Sequence, residues 1–151
     1  MSLAMSKEER ETFLADVRIG ILSLEEAGHG PLAVPVWYDY EAGRDLWFVT
    51  DRDSRKGRLL AEGRRISLCV QTEAPPYKYV SVEGPISEIS PADLEAVTRP
   101  MARRYLGTEA GDVYIASTSG SDDSGGSGGS GGSIVVRMTP ARWLTVDYAK
   151  R

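Results

Sequence analysis

The sequence contains one cysteine, Cys69, and one histidine, His29. A lone thiol cannot close an internal disulfide, and one thiol with one imidazole falls short of a zinc or iron–sulfur ligand set, so no metal site is expected. The same scarcity removes Ser-His-Asp and Cys-His nucleophile sets, because His29 lies between Gly28 and Gly30 in a turn-forming stretch. Positive charge is also in deficit. A net charge of −4 gives no field for nucleic acid, whose single-strand binders need a basic groove with stacking aromatics. No apolar run approaches the ~20 residues of a membrane helix, and residues 1–11 lack the apolar stretch of a secretory signal. The expectation is a cytoplasmic protein without membrane or nucleic-acid partners, one domain over residues 1–151.

What is present is patterned for strands. Ser6-Lys7-Glu8-Glu9 reads as a capping box opening a short helix whose apolar face is Phe13, Leu14 and Val17. Strands are predicted over 17–24, 32–40 (with Val34, Val36 and Tyr38 on one face), 46–50, 66–71, 79–89, 134–138 and 143–146. Residues 41–45 have the length and glycine of a hairpin loop, and Pro85 marks an edge or a bulge. A short helix is predicted from Ser54 to about Glu62, closed by Gly63 at its C′ position. Ser90-Pro91 opens the longest helix, with Pro91 at its first position, running to residue 98 and on past Pro100 to Tyr105. About seven strands with short peripheral helices give an α+β, mainly β, barrel, an arrangement that removes exposed sheet edges.

Residues 119–133 differ in kind. Gly-Gly-Ser occurs three times in succession at 125–133, which predicts a flexible linker or loop with an r.m.s. reach of ~20 Å. Its perfect period reads as engineered, a native loop having been replaced or shortened; the alternative is a natural glycine-rich loop.

Ser54-Arg55-Lys56 is the most informative tripeptide. Ser54 is a natural N-cap, which puts two cations into a helical turn whose dipole favours anions. Either an anion lies over this turn, held by hydroxyl, amides and both side chains, or the cations are solvated and balanced by Asp51 and Asp53. Local context bears on the choice. Leu46-Trp47-Phe48-Val49-Thr50, Ser54-Arg55-Lys56-Gly57-Arg58-Leu59-Leu60, Ile66-Ser67-Leu68-Cys69-Val70 and Tyr79-Val80-Ser81-Val82-Glu83-Gly84-Pro85 together resemble the pyridoxamine 5′-phosphate oxidase superfamily, over about half the chain.

The resemblance implies a split β-barrel of the FMN-binding type. It also implies that Arg55 and Lys56 hold a cofactor phosphate, with Ser54 and Thr50 beside it. The strand at 34–37, with Val36 and Trp37, would follow the ring edge, and Tyr79 and Gln71 would reach in from a second subunit of a homodimer. Enzymes acting on vitamin B6 carry a basic segment near the C-terminus and an arginine near the flavin; here the chain reads Trp143 to Arg151 and residues 31–40 hold no arginine, so a B6 substrate is not expected. The chain is more similar to the flavin/deazaflavin oxidoreductase branch, whose cofactors include F420 and FMN. F420 has a phosphate and an anionic tail, for which Lys78, Arg103 and Arg104 are candidate cations. The resulting expectation is hydride transfer from reduced F420, or FMN, to a small unsaturated or quinone-like acceptor; the alternative is a non-catalytic binding or storage protein for the cofactor. No catalytic residue is assigned, since the cofactor carries the chemistry; a proton would come from solvent or from a hydroxyl such as Tyr38 or Tyr79.

Overall fold

The computed structural model describes residues 2–119 and 132–151. After α1 (Lys7–Ala15) come β1 (Gly20–Leu24), β2 (Leu32–Val36), β3 (Tyr38–Asp39) and β4 (Leu46–Asp51). The short α2 (Arg55–Leu59) leads to β5 (Arg65–Gln71) and the long β6 (Lys78–Pro91). A π-helical turn (Leu94–Thr98), α3 (Arg99–Leu106) and α4 (Thr108–Ser119) precede the closing strands β7 (Ser133–Met138) and β8 (Arg142–Asp147).

The capping box at Ser6 is formed as read. Ser6 Oγ accepts from the Glu9 amide at 3.1 Å, and the Glu9 carboxylate accepts from the Ser6 amide at 3.0 Å. Period-two alternation then sets the inner face of each strand. β4 buries Leu46, Phe48 and Thr50, β5 buries Ile66, Leu68 and Val70, and β6 buries Val80, Val82, Gly84 and Ile86. These side chains join Leu14, Leu22, Tyr38, Val136 and Met138 in one core.

The sheet runs β2-β1-β5-β6-β7-β4-β3, with β8 also on β6. The first half of β6 pairs with β5 and β8, and its second half pairs with β7. Gly84 stands at this changeover. A Cβ there would overlap the Thr139 carbonyl oxygen, because the β7–β8 connection crosses at that point. The crossing is fixed by the Thr139 amide donating to Pro85 O (3.0 Å) and the Ala141 amide to Glu83 O (2.9 Å). The expected irregularity near Pro85 is present as a register shift between Ile86 and Glu88.

Several boundaries differ from the sequence expectation. The first strand begins at Gly20, and Val17 and Ile19 are exposed. The strand expected over 32–40 is two, because the chain changes partner at Trp37: β2 pairs with β1, and β3 pairs with β4. This makes eight strands among the described residues. The helix after Ser54 ends at Leu59, so Gly63 is not its C′ residue; Gly63 (φ +84°) shapes the turn into β5. Ser90 and Pro91 do not open a helix. They continue β6 opposite Val135 and Ile134, and the helical path starts beyond Asp93, whose carboxylate caps the Ala96 amide at 2.7 Å. α4 was not expected at all. Of the Gly/Ser stretch at 119–133, residues 120–131 lie outside the described residues, while Ser119 ends α4 and Ser133 begins β7.

Candidate functional site

The site grows from the end of β4. Ser54 Oγ donates to Asp51 O (2.7 Å) and accepts from the Gly57 amide (3.0 Å), capping α2. Thr50 Oγ1, only 6% exposed, lies 3.3 Å from the same hydroxyl. A Cβ on Gly57 would overlap the Asp51 carbonyl oxygen, so glycine lets α2 lie directly on the strand end. This closeness places Arg55 and Lys56 in the first turn of α2.

The two cations then part company. Arg55 forks onto Glu26 of the β1–β2 loop, Nε to Oε2 at 3.1 Å and Nη2 to Oε1 at 2.5 Å. That hydrogen bonding holds the Glu26 carboxyl below its ordinary range and raises the guanidinium further. Lys56, half-buried, has no ion pair or hydrogen bond among the described residues. It faces a cleft of about 510 Å³ whose walls are Val36 and Trp37 between β2 and β3, Val49 of β4, Ile19, Pro35, and Tyr114 of α4.

Three of the residues named from sequence, Val36, Trp37 and Lys56, thus share one cleft. Thr50 and Ser54 support α2 behind it. Arg55 is on the same turn, engaged by Glu26. Lys78 and Tyr79 lie elsewhere, on β6 beside β8. Lys78 is 3.6 Å from Asp147 and lines a second cleft of about 460 Å³, and Tyr79 is paired between Gln71 and Val146. Arg103 forks onto Asp112, and Arg104 meets Asp39 (3.4 Å) and Ala15 O (3.0 Å). The Tyr38 hydroxyl is buried and donates to Leu14 O at 2.7 Å, and burial makes it a weaker acid than an ordinary tyrosine. Cys69 is half-buried on β5, and burial pushes its thiol up. Among the described residues, no cluster of three or more His, Cys, Asp or Glu could hold a metal, and no helix is long and apolar enough to cross a membrane.

Two site residues escaped the sequence reading. Tyr105 stacks on Trp37, ring centroids 5.1 Å apart and planes 7° from parallel. Tyr114 lies tilted against the same indole at 5.4 Å and 54°. Their contacts span the whole barrel, and no local spacing announces them. The assembled cleft has aromatic and aliphatic walls with one unneutralised cation, the setting for a flat ring that carries an anionic group.

The sequence profile described as pyridoxamine 5′-phosphate oxidase matches residues 6–147 of the chain. Among solved structures, an F420 reductase is 19% identical, covers 89% of this chain and 94% of its own, and superposes with a TM-score of 0.66. A conserved hypothetical protein from Mycobacterium tuberculosis is 23% identical over 98% of this chain and 88% of its own, at 0.70. An FAD-binding protein from Mesorhizobium loti is 20% identical over 94% of each, at 0.61. At such identities the likeness is one of fold, the split β-barrel. No curated protein matches the chain in sequence.

Proposed function

This chain belongs to the pyridoxamine 5′-phosphate oxidase family, and from that premise we propose that it binds F420, or else FMN, in the cleft beside Lys56. There it serves as an oxidoreductase toward a small unsaturated or quinone-like acceptor. The observation that carries the reading is the unpaired Lys56 ammonium at the rim of an otherwise apolar, aromatic-walled cleft. An anion placed beside an unpaired ammonium at such a rim gains charge-assisted hydrogen bonds.

The residues present fit such a group. About 510 Å³ is within the usual range for small-molecule pockets. Trp37, Val36, Pro35 and Val49 offer apolar surface for a planar ring, and Lys56 offers its charge to a phosphate. Arg52, Arg55 and Arg58 are exposed on the same segment, a basic rim suited to the longer anionic tail of F420. When bound, the cofactor supplies two-electron hydride chemistry. The chain's own residues bind, orient and keep water from the ring face. The Tyr38 hydroxyl is committed to Leu14 O, which leaves solvent or the Tyr79 hydroxyl as the proton source for an acceptor.

A homodimer belongs to this reading. Ile21, Cys69, Ser81 and Leu144 are register partners in one row across β1, β5, β6 and β8. Ile21 and Leu144 are 41% and 61% exposed, and an apolar row on a sheet face favours a protein partner. Tyr79 is on the same face of β6 as Ser81, so a second subunit there would place its Tyr79 near the shared interface, whereas Lys78 is turned to the opposite face beside Asp147.

The deciding experiment is titration with F420 and, separately, with FMN, repeated on Lys56→Ala and Arg55→Ala/Lys56→Ala. Micromolar binding of one cofactor that Lys56→Ala weakens tenfold or more supports the reading; no binding of either sinks it. Turnover of the bound reduced cofactor with an acceptor panel then separates an oxidoreductase from a storage protein.

A further inference from the structure

The first turn of α2 has two cations in sequence and one in effect. Glu26 meets Arg55 at two points, Oε2 at 3.1 Å from Nε and Oε1 at 2.5 Å from Nη2. This is the fork with which a guanidinium grips either a carboxylate or a phosphate, so Glu26 fills the place that a phosphate would take on Arg55. The carboxylate is positioned by its own backbone. The Glu26 carbonyl accepts from the His29 amide at 3.0 Å, closing a turn in the β1–β2 loop that Gly28 (φ +82°) permits. The Glu26 side chain is 16% exposed and that of Arg55 67%. The acid is embedded, and the guanidinium comes to it.

The charge surplus around the turn is correspondingly small. Against Arg52, Arg55, Lys56 and Arg58 stand Asp51, Asp53 and Glu26, four cations against three carboxylates. Asp53 Oδ2 is buried without a hydrogen-bond partner among the described residues, and Arg58 Nε donates to the Asp53 carbonyl at 2.9 Å. The surplus is a single positive charge, and Lys56 brings it unpaired to the cleft.

Phosphate esters differ in what they ask of such a site. A terminal phosphomonoester, as in FMN, carries about −1.5 to −2 charge at pH 7. A phosphodiester, as in F420, carries only a single negative charge on its phosphate. Lys56 alone balances the diester. The monoester needs Arg55 as well, and can engage it only by expelling Glu26. That would leave an embedded, unpaired carboxylate beside a doubly charged group.

We infer that Glu26 is a specificity-determining residue of the cofactor site: by occupying Arg55 it selects a cofactor whose phosphate is a singly charged diester over one that ends in a phosphomonoester. The inference rests on the proposal that the cofactor phosphate sits at Lys56.

Fluorescence titration with F420, FMN and riboflavin tests it, riboflavin having the FMN ring without the phosphate. About 0.15 M salt screens distant charges. In Glu26→Gln, FMN should bind about tenfold more tightly than in the parent, because Arg55 is released to fork onto the phosphate. F420 should change by less than about threefold and riboflavin by less than about twofold. In Glu26→Gln/Arg55→Ala the gain for FMN should vanish. Circular dichroism and melting of the variants should match the parent, since so exposed an ion pair contributes little to stability. Unchanged FMN affinity in Glu26→Gln, an equal gain for all three ligands, or a gain that persists in the double variant overturns the inference. If the parent nonetheless binds F420 through Lys56, the cofactor reading stands without it. FMN bound by Glu26→Gln, with neither cofactor bound by the parent, keeps the role of Glu26 and sinks the broader proposal instead. Binding of neither cofactor by parent and variant removes both.

Discussion

Trp37 and Tyr105 stack almost parallel across 67 residues of chain, and the Tyr105 hydroxyl ties that stack to the backbone where β2 gives way to β3. It accepts from the Tyr38 amide and lies 2.6 Å from Arg18 O and 2.9 Å from Tyr38 O, either of which can take its proton. The strand break is thereby satisfied by a side chain from α3. Trp37 is left free of ladder duties to form a cleft wall.

Tyr105→Phe keeps the ring stack but strands the buried Tyr38 amide without an acceptor. The expected cost is about 1–3 kcal/mol, the usual penalty for an unsatisfied buried donor, read from urea unfolding. Tyr105→Ala removes the support for Trp37 as well and should weaken cofactor binding, whereas Tyr105→Phe should leave that binding within about threefold. Equal effects of the two variants on binding would show that the stack does not hold the wall.

The two family-like motifs each contain a glycine whose role is steric. At Gly57 a Cβ would overlap Asp51 O, and at Gly84 it would overlap Thr139 O. Both obstacles are backbone atoms of paired strands or their crossing, which cannot turn aside. Gly57→Ala and Gly84→Ala should each destabilise the protein by about 3 kcal/mol or more, in the upper range for single substitutions. Gly30→Ala is the control: it meets nothing within 4 Å, has no positive φ, and should be nearly neutral. Thermal melting of the three variants checks the contrast.

These glycines also show how far the sequence could be read. Ser54 and its cap, the order from β4 through β6, and the shared placement of Val36, Trp37 and Lys56 were legible because they depend on short-range patterns and on a recognisable motif pair. α4 was not. Thr108–Ser119 carries a glycine and several β-branched residues, a poor helix by propensity. It is held through Gly111 and Asp112 against Arg99 and Arg103, contacts that no local window contains. Pro91 misled for a similar reason. Its Ser-Pro signal favours a helix start, but β7 is available as a strand partner for Ser90 and Pro91, and long-range pairing prevailed. The diverging partners of Arg55 and Lys56 depend on Glu26, which arrives from the β1–β2 loop.

The α3–α4 tie should respond to acid in a defined direction. Hydrogen bonds from Arg103 and then Arg99 lower the Asp112 carboxyl from its ordinary 3.8 to about 2. A carboxyl whose folded value is depressed contributes stability that is fully present above its unfolded value and is lost as pH falls through the folded one. The tie is therefore nearly intact at pH 5, weakens below about pH 4, is half titrated near pH 2 and is lost below that. Hydrogen exchange of the α4 amides, corrected for intrinsic rates, should rise over that interval in the parent. In Asp112→Asn it should already be raised at neutral pH and change little with acid. Glu9, lowered to about 2 chiefly by its hydrogen bond with Lys150, titrates in the same interval at the other end of the chain. Exchange must therefore be read amide by amide rather than from a global melt.

The row Ile21, Cys69, Ser81 and Leu144 gives the dimer proposal its own test. Leu144 is the most exposed of the four and stands on β8, which pairs only with β6 among the described strands. Charge placed there should block association by burying an unpaired carboxylate, at little cost to the monomer, whose core does not include Leu144. Leu144→Glu is expected to run at 16.4 kDa in sedimentation equilibrium, where the parent runs at twice that mass. If residues of the partner subunit complete the cofactor site, the variant's cofactor affinity falls with its mass, and raising protein concentration restores both together. A parent that is monomeric at micromolar concentration, or a monomeric variant with full affinity, would place the whole binding site within one chain and remove Tyr79 from it.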